Sequence, residues 1–410
     1  MPTRAEGPKA TAGQTAIIAD DLTGAVDVAA DFAQRGAHTV LIRDLGNGQR
    51  PPCDVFAIDT STRNVSRDEA LLRLRTLERS APWLARLLVK KVDSTWRGHP
   101  ALEVAALFAL AGRRHIIVAL ANPAQGRTMS DGLLFVHGRP LAMTSYATSD
   151  PAAADTTPIQ NQLAALFPHH TVVMSDVPPP LDLQAPPTIW LAHANTDEAL
   201  ARVAQLCVQV APWTLCVGSG GLTRALATAA FPRGDGVVAD APLCAPRLFV
   251  VGSRSDEARR QIAHLENKAD VHMVSVDTSQ IKDLPVSMTD GRLALLVPKE
   301  GGTASPRSVA QALGKVASRK VLHNNLDAVF ACGGDTAAAV LEDLGIHSMT
   351  VLGTPLSGVT LSTANLNNRP FFVWMKPGGF GPDTVLADIQ GASTRRDHNA
   401  LSTGTHPSLP

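Results

Sequence analysis

Apolar residues along this chain come in short, β-branched runs separated by stretches with helical spacing. Strands are predicted at His38 to Arg43, Asp54 to Ile58, Leu87 to Val92, His115 to Leu120, Thr171 to Ser175, Thr188 to His193 and Thr214 to Val217. Between them the spacing predicts helices over Val26 to Arg35, Ser66 to Arg79, Pro100 to Gly112 and Thr196 to Gln209. Ser66 and Glu69 form a capping-box signature ahead of leucines 71, 72, 74 and 77. The rhythm breaks over residues 121–160, where Gly, Pro, Ser and Thr crowd together and a long loop or hairpin insertion is expected to shape a pocket.

Residues 232–246 hold several turn signals and no periodicity, so a domain boundary is expected there. A second series follows, with strands at Arg247 to Gly252, His272 to Val276, Arg292 to Val297, Ala328 to Cys332, Met349 to Leu352 and Phe371 to Met375. Its helices are expected at Ser255 to Glu266, Ser305 to Arg319 and Thr336 to Leu344. The fold class is therefore α/β, with two domains, each a mainly parallel or mixed sheet flanked by helices. The expected limits are a tail at 1–14, an N-terminal domain at 15–235, a linker at 236–246, a C-terminal domain at 247–392 and a tail at 393–410.

Composition narrows the functional classes. The 410 residues are 45% hydrophobic and carry as many Lys plus Arg as Asp plus Glu, so no basic field for nucleic acid or membrane is expected. Five scattered cysteines, Cys53, Cys207, Cys216, Cys244 and Cys332, contain no C-x-x-C pair and read as reduced cytosolic thiols. Nowhere do enough apolar residues run together to span a bilayer, and a soluble cytoplasmic protein is expected.

The chemistry gathers where strands end, which in open α/β sheets is where ligands bind. Thr15 to Ala19 reads as a buried strand that delivers Asp20 and Asp21 at its tip. Either could cap the following helix, but one cap accounts for one Asp. Asp59 to Arg63 follows another strand, and Lys90 to Gly98, with Lys91, Val92, Asp93, Ser94 and Arg97, ends a third. Solvated charge explains any one of these; three together suit a small polyhydroxylated anion, with one carboxylate as general base. In the second half, glycines stand in those places. Val250 to Ser253, Phe330 to Thr336 and Trp374 to Gly381 each bring a strand into a glycine turn, where backbone N–H groups can approach a phosphate. No P-loop occurs, and Gly218-Ser-Gly-Gly221 lacks the third glycine of a dinucleotide fingerprint. The histidines are dispersed, and His169-His170 reads as loop surface.

The motifs Ile18 to Ala25, Ser61 to Arg63, Lys90 to Gly98, Gly126 to Thr128, Val251 to Ser253, Gly333 to Thr336 and Lys376 to Gly381 together resemble the four-carbon acid sugar kinase family. They stand in the family's order. The resemblance implies an N-terminal acid-sugar domain, a C-terminal ATP domain, an active site in the cleft between them, and phosphorylation of the terminal hydroxyl of a four-carbon sugar acid. It implies substrate contacts from Asp21, Arg63, Lys91, Val92, Asp93 and Ser94; the strand-tip reading adds Asp20 and Arg97, and Asp21 or Asp93 is expected to orient or deprotonate the attacking hydroxyl. ATP contacts are implied for Ser253, Gly333, Gly334, Asp335, Thr336 and Gly379; the glycine-turn reading adds Gly378, and Mg²⁺ is expected near Asp335. Asp93-Ser94-Thr95 is similar to the D-threonate kinase branch, whereas the 3-oxo-tetronate branch carries Cys first. His193 and Trp96 depart from the commoner pattern. The alternatives are a 3-oxo-tetronate or D-erythronate kinase, or a nucleotide-regulated sugar-acid binding protein without catalysis; a homodimer is the candidate assembly.

Overall fold

The computed structural model describes residues 11–43, 52–79, 85–149, 154–232, 244–281, 284–288, 292–301 and 303–392. The tails at 1–10 and 393–410, and the linker as far as residue 243, lie outside them. The chain divides into two compact units, residues 1–237 and 238–410.

The first unit holds β1 (Thr11–Ala19), β2 (Thr39–Ile42), β3 (Val55–Asp59), β4 (Ala85–Lys91), β5 (His115–Ala119), β6 (Arg127–Ser130), β7 (Leu133–Val136), β8 (Arg139–Pro140), β9 (Thr171–Ser175), β10 (Thr188–Ala192) and β11 (Thr214–Gly218). Its main sheet runs β2-β3-β1-β4-β11-β5-β10-β9, parallel throughout. Parallel strands bury both faces, which is why these read as continuous Val, Ile and Leu runs. Ile18, Phe56 and Ile58 sit in one core cluster. Each is almost wholly buried and contributes about 1.5–3 kcal/mol relative to an exposed side chain. Helices Leu22–Ala33, Asp197–Gln209 and Gly220–Ala230 pack as one group, and Arg67–Thr76, Pro100–Ala111 and Ile159–Leu166 as another.

The expected insertion is an antiparallel sheet, β6-β7-β8. Asp131-Gly132 and His137-Gly138, all at positive φ, make its tight turns. Asn195 clasps it, accepting from Met129 N at 2.8 Å and donating to Met129 O at 2.7 Å.

The second unit holds β12 (Leu248–Val251), β13 (Val271–Val276), β14 (Leu293–Pro298), β15 (Ala328–Cys332), β16 (Ser348–Leu356), β17 (Val359–Leu366) and β18 (Arg369–Lys376). The order β13-β14-β12-β15-β18 is parallel, and β16-β17-β18 is an antiparallel meander. Strand β17 and helix Val385–Gly391 were not among the sequence expectations. Asn367 and Asn368, both left-handed, form the β17–β18 turn and were the available signal.

Candidate functional site

Helix Leu22–Ala33 starts directly after Asp21, earlier than its apolar spacing suggests. Asp21 is its N-cap, with Oδ1 accepting from Gly24 N at 3.0 Å and Oδ2 from Thr23 Oγ1 at 2.7 Å. The capping role therefore falls to Asp21, and Asp20 is the spare acid. Asp20, 2% exposed, receives a bidentate pair from Arg63: Nε to Oδ2 at 2.9 Å and Nη2 to Oδ1 at 2.8 Å. Nη2 of Arg63 also lies 2.8 Å from Asp21 Oδ1, and Nη1 lies 3.7 Å from Asp93 Oδ1. One guanidinium thus ties together carboxylates from two strand tips, β1 and β4.

Lys90 and Lys91, adjacent at the end of β4, diverge. Successive side chains of a strand point to opposite faces. Lys90 turns into the core, where Nζ meets Glu103 Oε2 at 2.7 Å. Thr62 Oγ1 donates to the same carboxylate oxygen at 2.9 Å. Lys91 turns toward the Asp21 cap: a Cβ on Gly24 would stand 3.2 Å from Lys91 Nζ and 2.5 Å from Asp21 Oδ1. Nζ donates to Val92 O at 2.9 Å. Val92 is wholly buried in the core, so only its backbone is polar at the site.

The turn after β4 is organised by Asp93. Its carboxylate accepts from Arg97 Nε and Nη2, both at 2.9 Å, from Thr95 N at 3.1 Å, and from Thr95 Oγ1. Ser94, half-buried, stands beside it. Trp96 is left-handed and 5% exposed, and its Nε1 donates to Gln162 Oε1 at 3.0 Å. Its place is thus under the insertion. Gly98, at φ +81, lets the turn close on Arg63, whose Cα and O would lie 3.1 Å from any Cβ there.

The local fields set the charge states. Burial opposes ionisation of Asp93, but hydrogen bonds from Arg97 and the fields of Arg63 and Arg97 outweigh it and hold the carboxyl far below the ordinary range. Burial likewise opposes the Asp20 charge, and Arg63 with Lys90 and Lys91 holds that carboxyl low. Asp59 goes the other way: burial pushes it up to about 6 against Arg43 and the hydrogen bonds from Ser61. Asp93 is thus a strong acceptor and a weak base.

In the second unit three glycine turns converge. A Cβ on Gly252 would lie 1.9 Å from Thr336 Oγ1, and one on Gly378 would lie 2.7 Å from Ser253 Oγ. Gly333, at φ +101, has Ser253 N 3.9 Å from its Cβ position. Helix Asp256–Glu266 is capped by Ser255, whereas helix Gly334–Asp343 begins at Gly333 with no side-chain cap. Its first N–H groups are therefore unspent donors. Lys376, fully buried, donates to Pro377 O, Gly378 O and Phe380 O at 2.9, 3.0 and 2.8 Å, which shapes the third turn. Gly379 lies 3.8 Å, at its Cβ position, from Glu257 Oε2.

Asp335 stands in the first turn of that uncapped helix. Among the described residues no three His, Cys, Asp or Glu side chains cluster as a metal site. A lone carboxylate fits Mg²⁺, which takes most of its ligands from phosphates and water, and fits no all-protein cage. A cavity of about 400 Å³ at the tips of β13 and β14, lined by Arg254, Asp277, Lys299 and Thr303, lies outside every sequence motif. Its charges sit on separate loops with no motif to join them. Lys299 Nζ donates to Asp277 at 2.8 Å and, with the Ser279 hydrogen bonds, holds that carboxyl low. His193, the other departure, lies with Nδ1 3.4 Å from Asp176 Oδ1, beyond the tip of β10.

Residues 15–226 match a sugar-binding N-terminal domain and residues 284–386 a nucleotide-binding C-terminal domain. The chain is 33% identical over 407 residues to a D-threonate kinase of Cupriavidus necator, covering 90% of this chain and 95% of that one. It is 31% identical over 407 residues to a D-threonate kinase of Bordetella bronchiseptica, covering 93% and 97%. Among solved structures, a Salmonella typhimurium LT2 protein described as a tRNA synthase superposes with a TM-score of 0.72 at 22% identity, over 92% of this chain and 98% of that one, a likeness of fold alone.

Proposed function

Because the chain belongs to the four-carbon acid sugar kinase family, we propose that it phosphorylates the 4-hydroxyl of D-threonate with ATP, giving 4-phospho-D-threonate and ADP. The observation that carries this reading is the division of chemistry between the units. Arginine-bound carboxylates beside a half-buried serine suit a sugar acid in one. An uncapped helix start among glycine turns suits phosphates in the other.

Phosphoryl transfer asks for positioning and charge neutralisation more than for a strong base. The 4-hydroxyl oxygen forms a bond to the γ-phosphorus as the bond to the β–γ bridging oxygen breaks. ADP leaves and the hydroxyl proton passes to a carboxylate or to water. Asp21, held by Gly24 N, Thr23 and Arg63, orients that hydroxyl and takes its proton. Asp93, held ionised by Arg97 and Arg63, accepts from the other hydroxyls. Lys91, Ser94, Arg97 and the Nη1 edge of Arg63 donate to the substrate. Ser253, Gly333, Gly334, Thr336, Gly378 and Gly379 hold the phosphates, and the cavity beside Arg254 takes the nucleoside. Mg²⁺ with Asp335 would neutralise phosphate charge. The same reading places the enzyme in the cytoplasm, where ATP is available; a homodimer is the candidate assembly, which sedimentation of the purified protein checks.

A coupled ADP-release assay across D-threonate, D-erythronate, L-threonate and 3-oxo-tetronate tests the proposal. D-threonate is expected to give the highest kcat/KM. ADP release independent of every tetronate sinks it.

A further inference from the structure

Arg127, centre of the Gly126-Arg-Thr128 motif, has no task in the scheme above. It opens β6 on the face shared with Met129, which packs into the core with Val92 and Trp96. Arg127 is 8% exposed. Its Nη2 donates to Tyr146 Oη at 2.8 Å, and the guanidinium carbon lies 5.1 Å from the centre of the Tyr146 ring. Nε and Nη1 are buried with no hydrogen-bond partner. No carboxylate of the described residues lies within ion-pair distance of it, unlike Lys90, which has Glu103, or Arg63, which has three aspartates.

A guanidinium stays charged in any protein environment, and a buried charge without a counterion is costly. The surroundings therefore call for an anion. Asn122 adds a second open group. It is 3% exposed and pairs with Arg127 through Asn122 N to Arg127 O at 2.9 Å and Arg127 N to Asn122 O at 3.0 Å. Its Oδ1 has no partner. Asn122 follows β5, which pairs with β11, and β11 pairs with β4, so both open groups stand on the sheet edge that carries Lys91 to Ser94.

We propose that Arg127 is the anchor for the carboxylate of the sugar acid, with Asn122 Oδ1 accepting from the neighbouring hydroxyl. This deepens, and rests on, the sugar-acid reading. Arg63 is largely spent on Asp20, Asp21 and Asp93, whereas Arg127 keeps two N–H edges for an incoming carboxylate. Tyr146, half-buried, takes the Nη2 donor and so leaves Nε and Nη1 as the edges for the ligand.

The test compares the full-length wild type with Arg127→Met and Arg127→Lys. Calorimetric titration with D-threonate and with ADP, steady-state kinetics, and the melting temperature without ligand are read for each. Arg127→Met is expected to weaken D-threonate binding and raise its KM by about 100-fold, the loss typical of a buried charged partner, with ADP affinity unchanged. Arg127→Lys is expected to recover part of that loss. Because the arginine has no counterion without ligand, Arg127→Met should melt at or above the wild-type temperature, which a structural arginine would not allow. D-threonate binding within about 3-fold of wild type, or a melting temperature lowered by more than about 5 °C, overturns the proposal. Wild-type binding without turnover sinks the kinase reading alone, and absence of wild-type binding overturns both.

Discussion

Arg63 holds the tips of β1 and β4 together, because it answers Asp20, Asp21 and Asp93 at once. Removing one partner of a buried ion pair leaves the others uncompensated, at about 3–5 kcal/mol. Arg63→Met should therefore lower unfolding stability in urea by about 3 kcal/mol or more and abolish D-threonate turnover. Asp21→Asn separates the two effects. Asn caps helices as well as Asp does, so the helix start should survive. The lost charge should cut kcat/KM for D-threonate by about 100-fold or more, with ADP affinity unchanged. Asp59 gives a pH signature of opposite sign to Asp93. Its native pKa, about 6, lies above the ordinary 3.8, so the native state binds the extra proton, and its contribution to stability grows as pH falls from about 7 to about 4. Relative to Asp59→Asn, the wild type should gain up to about 3 kcal/mol over that window in urea titrations at stepped pH. Asp20 and Asp93, held low, stabilise above the ordinary carboxylate range and lose that contribution only in stronger acid.

At the scale of elements, the strand tips were legible because a parallel sheet writes itself as uninterrupted apolar runs, with polar residues only where each run ends. Asp20, Asp59 and Asp93 could be read as tips for that reason. Which side chain turned where was not legible. Lys90 and Lys91 are chemically identical in sequence, and the face each takes is decided by Glu103 on helix Pro100–Ala111 and by the Asp21 cap. Strand β17 went unseen because all of its first half is buried, which hides the alternation expected of an antiparallel strand. The Arg254 cavity was hidden for a further reason: β13, β14 and the chain after β12 contribute to it from distant sequence positions. The glycine turns of the second unit carry an element-level prediction. Gly333 sits at φ +101, where a Cβ is strained, and its N–H donates to Lys376 O at 2.9 Å. Gly333→Ala should shift the start of helix Gly334–Asp343 and weaken ADP binding by about 10-fold or more in calorimetry, with D-threonate binding unchanged.

At the scale of the whole molecule, each unit has its own hydrophobic core and its own set of strand tips. A unit with its own core can answer its ligand through local stabilisation, because a ligand that binds only the native form stabilises it by about 2.7 kcal/mol at a hundred times its Kd. The amides that gain most are those whose hydrogen-bond partners the ligand fixes. In the first unit they belong to the turns after β1, β3 and β4, where Gly24 N already bonds Asp21, and Thr62 N and Arg63 N already bond Asp20 O. In the second they belong to the turns after β12 and β15, where Gly252 N bonds Cys332 O and Gly333 N bonds Lys376 O. Hydrogen exchange of the full chain should therefore show residues 20–25, 61–63 and 92–98 slowed by D-threonate alone, and residues 252–256 and 333–337 slowed by ADP alone. Protection of the second unit's turns by D-threonate, with none in the first, would reverse the assignment of the two ligands to the two units.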